Sequence, residues 1–414
     1  MNPDTFCAAP WFGIRLDWDG KFRPCCQLDE DQSKFDGRKS YTIYDSTVDE
    51  WMSSDYSTYL RRELTQGNRL SECHKCWNKE ENTLKTLRQV SNDSVTANSL
   101  DSIEKTWVSS FVNRAPNYDQ HRLMLADVKL SNVCNFGCAM CNPTDSSKLF
   151  DRWNKDQQSM TVQKVLKKEP RYFDNIVKNY QSKRGYQHLC DILSSPITHL
   201  KLLGGEPLLD KELFDILQSQ PAEKKSKINL HFITNGSQSL IDAVQKLSGY
   251  KNVSFVVSIE GVGQVQDYIR SGSDWSVVSN NILSAHWQGI TVSVAHILQA
   301  MSIFGLSDLL NWVSLHNIPI MFGLLYNPEY LSISVLPADI KKQALEKIKN
   351  MENILLINGD IHSGKTLTID FIYNIIDNHP IIANNQYQTF LEYVAWYEQK
   401  LPLKLQEIQP ELFG

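Results

Sequence analysis

The sequence predicts an α/β protein built from parallel βα units. Short apolar runs alternate with stretches of helical apolar spacing between residues 123 and 325, the pattern of strands that return through crossover helices. Several of those runs end in cysteine-rich or glycine-rich turns, and α/β folds bind their ligands at the C-terminal ends of strands. With 414 residues the chain can hold two or three domains with cores of their own. A net charge of -5 provides no global basic field, so a nucleic-acid partner is not expected. No run approaches the ~18 apolar residues of a membrane span, and Met1 to Phe6 lacks a basic stretch followed by an apolar one. The expectation is a cytoplasmic enzyme without membrane contact.

Taken in order, residues 6–26 alternate polar and apolar side chains on both sides of Asp19-Gly20. Asp-Gly between such runs predicts a hairpin, which would bring Cys7 near Cys25. Val48 to Leu64 has the apolar spacing of a helix. Six strands are expected: Leu123–Leu130, His199–Leu203, Ile228–Thr234, Val253–Ile259, Thr291–Leu298 and Ile318–Leu325. Helical patterns fall between them at Leu209–Gln218, Gln238–Leu247, Val277–Trp287 and Leu306–His316. The first crossover, between Pro143 and Pro196, is long and carries Trp153, Arg171, Tyr172 and Tyr180; a substrate lid and a decorated first helix both account for it. Residues 331–414 read as helices whose aromatics, Phe371, Tyr373, Tyr387, Phe390, Tyr393 and Trp396, are expected to pack. The domain bounds that follow are 1–105, 106–330 and 331–414.

Cysteine usage carries the chemistry. The nine cysteines gather in pairs and a triad, which in a chain with no export signal points to metal binding in a reducing compartment. Cys134, Cys138 and Cys141 are spaced C-x3-C-x2-C on the loop after the first predicted strand. Three thiolates can hold three irons of a [4Fe-4S] cluster and leave the fourth open, whereas zinc would want a fourth Cys or His nearby and a disulfide would strand one thiol. A second group, Cys7 and Cys25 on the hairpin with Cys73 and Cys76 in a C-x2-C loop, completes four sulfurs. Zinc and a fully ligated iron-sulfur cluster both suit it. His74 is a weaker ligand, because the four-thiol set is complete without it. Strand neighbours face opposite ways, so only one of Cys25 and Cys26 belongs to the group. Cys26 is then a packing residue, a substitute ligand or a hydrogen-atom donor, and Cys190 lies on an apolar helical pattern as a core residue.

The triad, the strand before it and Leu203-Gly-Gly-Glu-Pro207 together resemble the radical S-adenosylmethionine (radical SAM) enzymes. The resemblance implies a (βα)6 partial TIM barrel, here with an N-terminal hairpin and helix module and a C-terminal helical extension. It implies that SAM chelates the open iron and that reduction cleaves it to a 5′-deoxyadenosyl radical, which takes hydrogen from a substrate. Its implied SAM-binding residues are Gly204, Gly205, Glu206 and Pro207 at the amino group, Thr234 and Asn235 of Thr-Asn-Gly, Ser258 and Glu260 at the ribose, Arg270 at the carboxylate and Met140 beside the adenine. The pattern C-x12-G-x4-C, from Cys7 through Gly20 to Cys25, resembles the SPASM and twitch extensions, which carry auxiliary [4Fe-4S] clusters; it favours Cys25 over Cys26 as the ligand. Family members of this type act on peptides, protein side chains and sugar-containing small molecules. A peptide or protein side chain is the first expectation, with a reductant such as flavodoxin or ferredoxin. The alternatives are a dehydrogenase or epimerase of a sugar or nucleoside, for which Cys26 or Cys190 would return the hydrogen, and a non-catalytic zinc-binding scaffold. No other catalytic residue is assigned.

Overall fold

In the computed structural model of the chain, residues 4–17, 20–35, 40–81, 86–96, 118–119, 121–156, 159, 184–349, 351, 356–357, 366–367, 369–379 and 385–413 are described. Eight strands form one open sheet in the order β2-β1-β3-β4-β5-β6-β7-β8. The six expected strands are β3 (Leu125–Lys129), β4 (His199–Leu203), β5 (Asn229–Thr234), β6 (Asn252–Ser258), β7 (Thr291–Leu298) and β8 (Ile320–Leu324). Each pairs in parallel with the next. Crossover helices cover one face of this sheet. In β4 and β5 every second residue, Leu200 and Leu202, then Leu230 and Phe232, is wholly buried against them, while their neighbours Lys201 and His231 share one register layer with Asp127 on the opposite face.

The N-terminal hairpin does more than make a local turn. β1 (Gly13–Leu16) pairs antiparallel with β2 (Phe22–Arg23) and also pairs in parallel with β3, so it lengthens the barrel sheet by two strands. Residues expected as a separate unit up to 105 therefore share a continuous hydrogen-bonded sheet with those after 106. The physical reason is the edge of β3: its peptide groups would otherwise lie unpaired beside the first barrel strand. Gly20 takes a φ of +71 at the turn, where its N–H donates to Asp17 O at 2.9 Å.

The predicted helix Val48 to Leu64 is two helices, Val48–Met52 and Asp55–Gln66. Thr47 and Glu50 form a reciprocal cap on the first, and Ser54 Oγ accepts from Ser57 N–H at 3.1 Å to start the second. A satellite core of Leu28, Tyr56, Leu60, Leu64, Leu70 and Trp77 lies beneath them, apart from the main barrel core. In the first crossover the described helices are Ser147–Lys155 and Arg184–Ser194. Arg171, Tyr172 and Tyr180 lie outside the described residues, and Trp153 is buried edge-on against Trp396 at 5.9 Å. The C-terminal region holds the expected helices, among them Ala338–Lys349, Ile369–Asp377 and Asn385–Tyr397. It also holds an unexpected pair of two-residue strands, β9 (Leu356–Ile357) and β10 (Thr366–Leu367).

Candidate active site

Cys134, Cys138 and Cys141 occupy the loop that leaves β3. The start of the helix Ser147–Lys155 holds this loop from one side: Ser147 N–H donates to Asn132 O at 2.7 Å, Ser146 Oγ to Phe136 O at 2.6 Å and Lys148 Nζ to Asn135 O at 3.1 Å. The segment after the helix Gln264–Ile269 holds it from the other, where Gly137 and Ala139 N–H donate to Ser271 O and Ile269 O, each at 2.8 Å. Phe136 N–H donates to Cys134 Sγ at 3.4 Å. Asn235 Nδ2 stands 3.8 Å from Cys134 Sγ, and Arg270 Nη1 stands 3.8 Å from Cys138 Sγ.

Burial raises the pKa of every thiol in the triad. Cys138 is pushed up to about 11, with Arg270 opposing the rise and Cys134 adding to it. Cys134 is raised mainly by burial, and Cys141 well above the ordinary thiol by burial and by Cys138. Crowded, desolvated thiols resist ionising alone; iron would supply the missing positive charge, so the donor set suits a cluster. Among the described residues no three His, Cys, Asp or Glu side chains close on a single-ion position. A cubane, in which each thiolate takes a different iron, does not ask for that convergence.

The Gly204-Gly205-Glu206-Pro207 turn packs directly on this loop. Gly205 has φ +51, and a Cβ there would lie 2.3 Å from Val133 O, one residue before the first cysteine. Its glycine is needed for the loop's own backbone. Glu206, expected at the amino group of SAM, is almost wholly buried, and its carboxylate is hydrogen-bonded within the protein. It accepts from Thr234 Oγ1 at 2.7 Å, Asn235 N–H at 2.6 Å and Leu208 N–H at 3.1 Å. The carboxylate thereby ties the turn after β4 to the turn after β5. Asn235 in turn reaches Asn135 Oδ1 at 2.8 Å, which joins the Thr-Asn-Gly turn to the cysteine loop.

Glu260, expected at the ribose, is enclosed as well. Its carboxylate does not face outward beside Ser258 but is buried, 2.7 Å from Arg270 Nη2 and 3.5 Å from His296 Nδ1. Burial pushes it up to about 7 against the pull of Arg270. β6 ends at Ser258, so the two-residue strand spacing that would align Glu260 with Ser258 no longer applies at 260. Arg270, expected at the SAM carboxylate, is held by Glu260 and directed at Cys138. Ser258 and Met140 are half-buried, at the end of β6 and on the cysteine loop respectively.

In the second cysteine group the pKa values of Cys7, Cys25 and Cys73 are raised by burial first and then by neighbouring thiols, Cys76 acting on all three. Cys7 is pushed up to about 12, while the Ala9 N–H on Cys7 and the Gln27 N–H on Cys25 act in the opposite direction. Cys134 receives the same kind of bond from Phe136. His74 does not join the thiols: its Nδ1 lies 3.0 Å from Ser71 O and its Nε2 4.0 Å from Asp29. Cys26 lies in the turn after β2 rather than on the strand, where its charge acts on both Arg15 and Cys25. Cys190 is corrected outright. It is exposed on the helix Arg184–Ser194, whose buried face is made by His188, Leu189, Ile192 and Leu193, so it neither packs in the core nor faces the sheet's inner layer.

Sequence reasoning missed two sets of residues. One is the charged layer on the open face of the sheet, where Arg15 pairs with Asp127 at 3.0 Å and Asp17 at 3.3 Å, Lys129 with Asp145 at 2.9 Å and Lys201 with Asp127 at 3.6 Å. Alternation along β1, β3 and β4 could have signalled it. The other is Tyr393 and Tyr397, read only as packing or not at all, whose hydroxyls donate to Ala139 O at 2.6 Å and Gly137 O at 2.9 Å.

Residues 128–308 match the family model described as the radical SAM superfamily. Among solved structures the chain is similar to native anSMEcpe with bound AdoMet, at 16% identity and a TM-score of 0.37 over 55% of this chain and 59% of that one. It is also similar to SuiB from Streptococcus suis bound to S-adenosylmethionine, at 13% identity and a TM-score of 0.35 over 71% and 62%. In both cases the chain spans less than two thirds of the protein it resembles. None of the curated proteins matches it. The stretch that matches the radical SAM family model runs from the end of β3 through β7 and contains the triad loop, the Gly-Gly-Glu-Pro turn and Arg270.

Proposed function

We propose that Cys134, Cys138 and Cys141 each hold one iron of a [4Fe-4S] cluster, that S-adenosylmethionine takes the fourth, and that the enzyme removes hydrogen from a peptide or protein side chain. The triad loop carries this reading: a buried thiol at Cys138 between half-buried thiols at Cys134 and Cys141 at the end of the first barrel strand, each penalised as a lone thiolate, with a cationic Arg270 beside the middle one. When bound, the cluster and SAM supply a 5′-deoxyadenosyl radical. The chain's own residues do the positioning. Glu206, Thr234 and Asn235 lock the turns after β4 and β5 to the loop, and Gly205 permits the approach. Glu260 keeps Arg270 charged and fixed, while Met140 and Ser258 are the groups left open to the nucleoside. Phe136, Ala139 and the buried barrel core exclude water from the loop.

Cys7, Cys25, Cys73 and Cys76 are proposed to hold an auxiliary [4Fe-4S] cluster, which would accept an electron from the substrate and make the reaction a net oxidation. Their mutual proximity and the likeness of the Cys7-Gly20-Cys25 pattern to peptide-modifying relatives support both the cluster and the peptide substrate. A reductant such as flavodoxin or ferredoxin supplies the electron for SAM cleavage. Anaerobic purification should yield about eight irons per chain, and dithionite with SAM should form 5′-deoxyadenosine. Cys138→Ala is expected to abolish that product. Zinc without iron at both groups would overturn the reading and leave the zinc scaffold.

A second reading, epimerisation of a small molecule, rests on Cys26, half-buried in the turn after β2, where its charge acts on Arg15 and Cys25. Cys26→Ala would then keep 5′-deoxyadenosine formation and lose turnover; unchanged turnover removes this reading.

A further inference from the structure

The helix Asn385–Tyr397 lies more than 70 residues beyond the end of the matched domain, yet it reaches back to the middle cysteine of the triad. Tyr397 Oη donates to Gly137 O at 2.9 Å, in the peptide that precedes Cys138, and Tyr393 Oη to Ala139 O at 2.6 Å, in the Ala139–Met140 peptide, so one loop carbonyl before Cys138 and one after it are held by hydroxyls of one helix. Tyr397 Oη also accepts from Ser271 N–H at 3.4 Å and lies 3.1 Å from Ile269 O, the same segment that takes the N–H groups of Gly137 and Ala139. Both tyrosines are buried, at 1% and 0% exposure, and their rings stack 6.0 Å apart. The helix is anchored in its turn: Arg152 Nη2 donates to Trp396 O at 2.9 Å and Tyr397 O at 2.6 Å, and its guanidinium lies 4.3 Å from the Trp396 ring. Arg152 belongs to the helix that follows the cysteine loop, so the contact closes a ring: loop, first helix, C-terminal helix, loop.

We infer that Tyr393 and Tyr397 are positioning residues for Cys138, and that the C-terminal helix is a clamp which sets the ligand loop's geometry before and after a cluster is loaded. The inference rests on the proposed ligand role of the triad. Tyr397 pins the peptide plane before Cys138 at Gly137 O, the Ala139 N–H bond to Ile269 O pins the plane after it, and Tyr393 pins the next plane along at Ala139 O; together they fix the direction of the Cys138 Cα–Cβ bond. Hydrogen bonds that polarise the amides beside a ligating thiolate also tune the iron they reach. Packing alone would need the rings; positioning needs the hydroxyls.

Tyr393→Phe, Tyr397→Phe and the double variant separate these, because each keeps its ring. In apoprotein held reduced, alkylation of Cys138 by iodoacetamide, read at the peptide by mass spectrometry, is expected to accelerate at least several-fold, with Cys190 as an internal exposed control. In protein reconstituted anaerobically with iron and sulfide, the double variant should show an altered electron paramagnetic resonance signal, a shifted midpoint potential of the triad's cluster and several-fold faster iron loss to a chelator. Phe390→Leu, which alters packing on the same helix without touching a hydroxyl, should leave the signal and potential as in wild type. Wild-type alkylation rates, potential and iron retention in the folded double variant would overturn the clamp. A wild-type protein that takes no iron at the triad would instead overturn the proposed ligand role, so the two failures are distinguishable.

Discussion

Gly205 shows how narrow the tolerance is where the turn after β4 meets the cysteine loop. Its φ of +51 and the 2.3 Å approach of a built Cβ to Val133 O leave no room for alanine. Gly205→Ala should cost about 3 kcal/mol or more in urea unfolding and lower iron uptake, since strain and clash add. Gly289→Ala, at φ +76 with nothing within 4 Å, should cost only about 1–2 kcal/mol. The buried His296 supplies a pH signature. Burial lowers its pKa to about 4, so the folded state stays neutral while the unfolded state, near 6.5, takes up a proton. Its contribution is present above pH 6.5 and is lost as pH falls towards 4. Glu260 has the opposite sign: held up to about 7, it favours the folded state below about 4.5 and loses that contribution as pH rises through 7. His296→Gln should therefore unmask a melting temperature that falls between pH 4.5 and 7, relative to wild type. The triad was legible as residues in sequence; the partners of Glu206, Glu260 and Arg270 were not, because spacing reports type and order but not which buried donor reaches a carboxylate.

Individual elements were read with uneven success. Every predicted barrel strand forms, with ends differing by at most two residues, because the apolar runs and the turns that bound them act locally. The N-terminal helix broke in two because Ser54 offered a cap, a local competitor that apolar spacing does not weigh. Cys190 went to the surface although it lies within an apolar pattern, since the helix buries the stripe through His188, Leu189, Ile192 and Leu193. The hairpin strands are confined to Gly13–Leu16 and Phe22–Arg23, and Cys7 stands ahead of a short helix, Ala9–Phe12, that the alternation across residues 6–26 did not anticipate. Replacing Cys73 or Cys76 with Ala should drop iron from about eight to about four per chain. The remaining irons should still support 5′-deoxyadenosine formation, and Cys26→Ala should leave the count unchanged. A count of eight in Cys73→Ala would remove the auxiliary ligand set.

At the scale of the molecule, the N-terminal strand, the barrel and the C-terminal helix are interlocked rather than strung in sequence. β1 extends the sheet at β3, and Arg15 fastens it there through Asp127 and Asp17. Arg15→Met leaves those carboxylates to Lys129 and Lys201, at 3.4 and 3.6 Å, so the loss should fall below the ~3–5 kcal/mol of a fully orphaned buried charge, at about 2 kcal/mol by urea denaturation. No helix among the described residues is long and apolar enough to cross a membrane, as the hydropathy predicted. Periodicity, turn chemistry and cysteine spacing were enough to specify the α/β class, the six barrel strands and the triad loop, because each is written in residues near one another in the chain. Folding alone assigned the long-range partners: β1 to the edge of β3, Glu260 to Arg270, and two tyrosines near the C-terminus to the carbonyls around Cys138, 254 and 260 positions away. Such pairings depend on which surfaces meet once the core is buried, and no local pattern in the chain encodes that meeting.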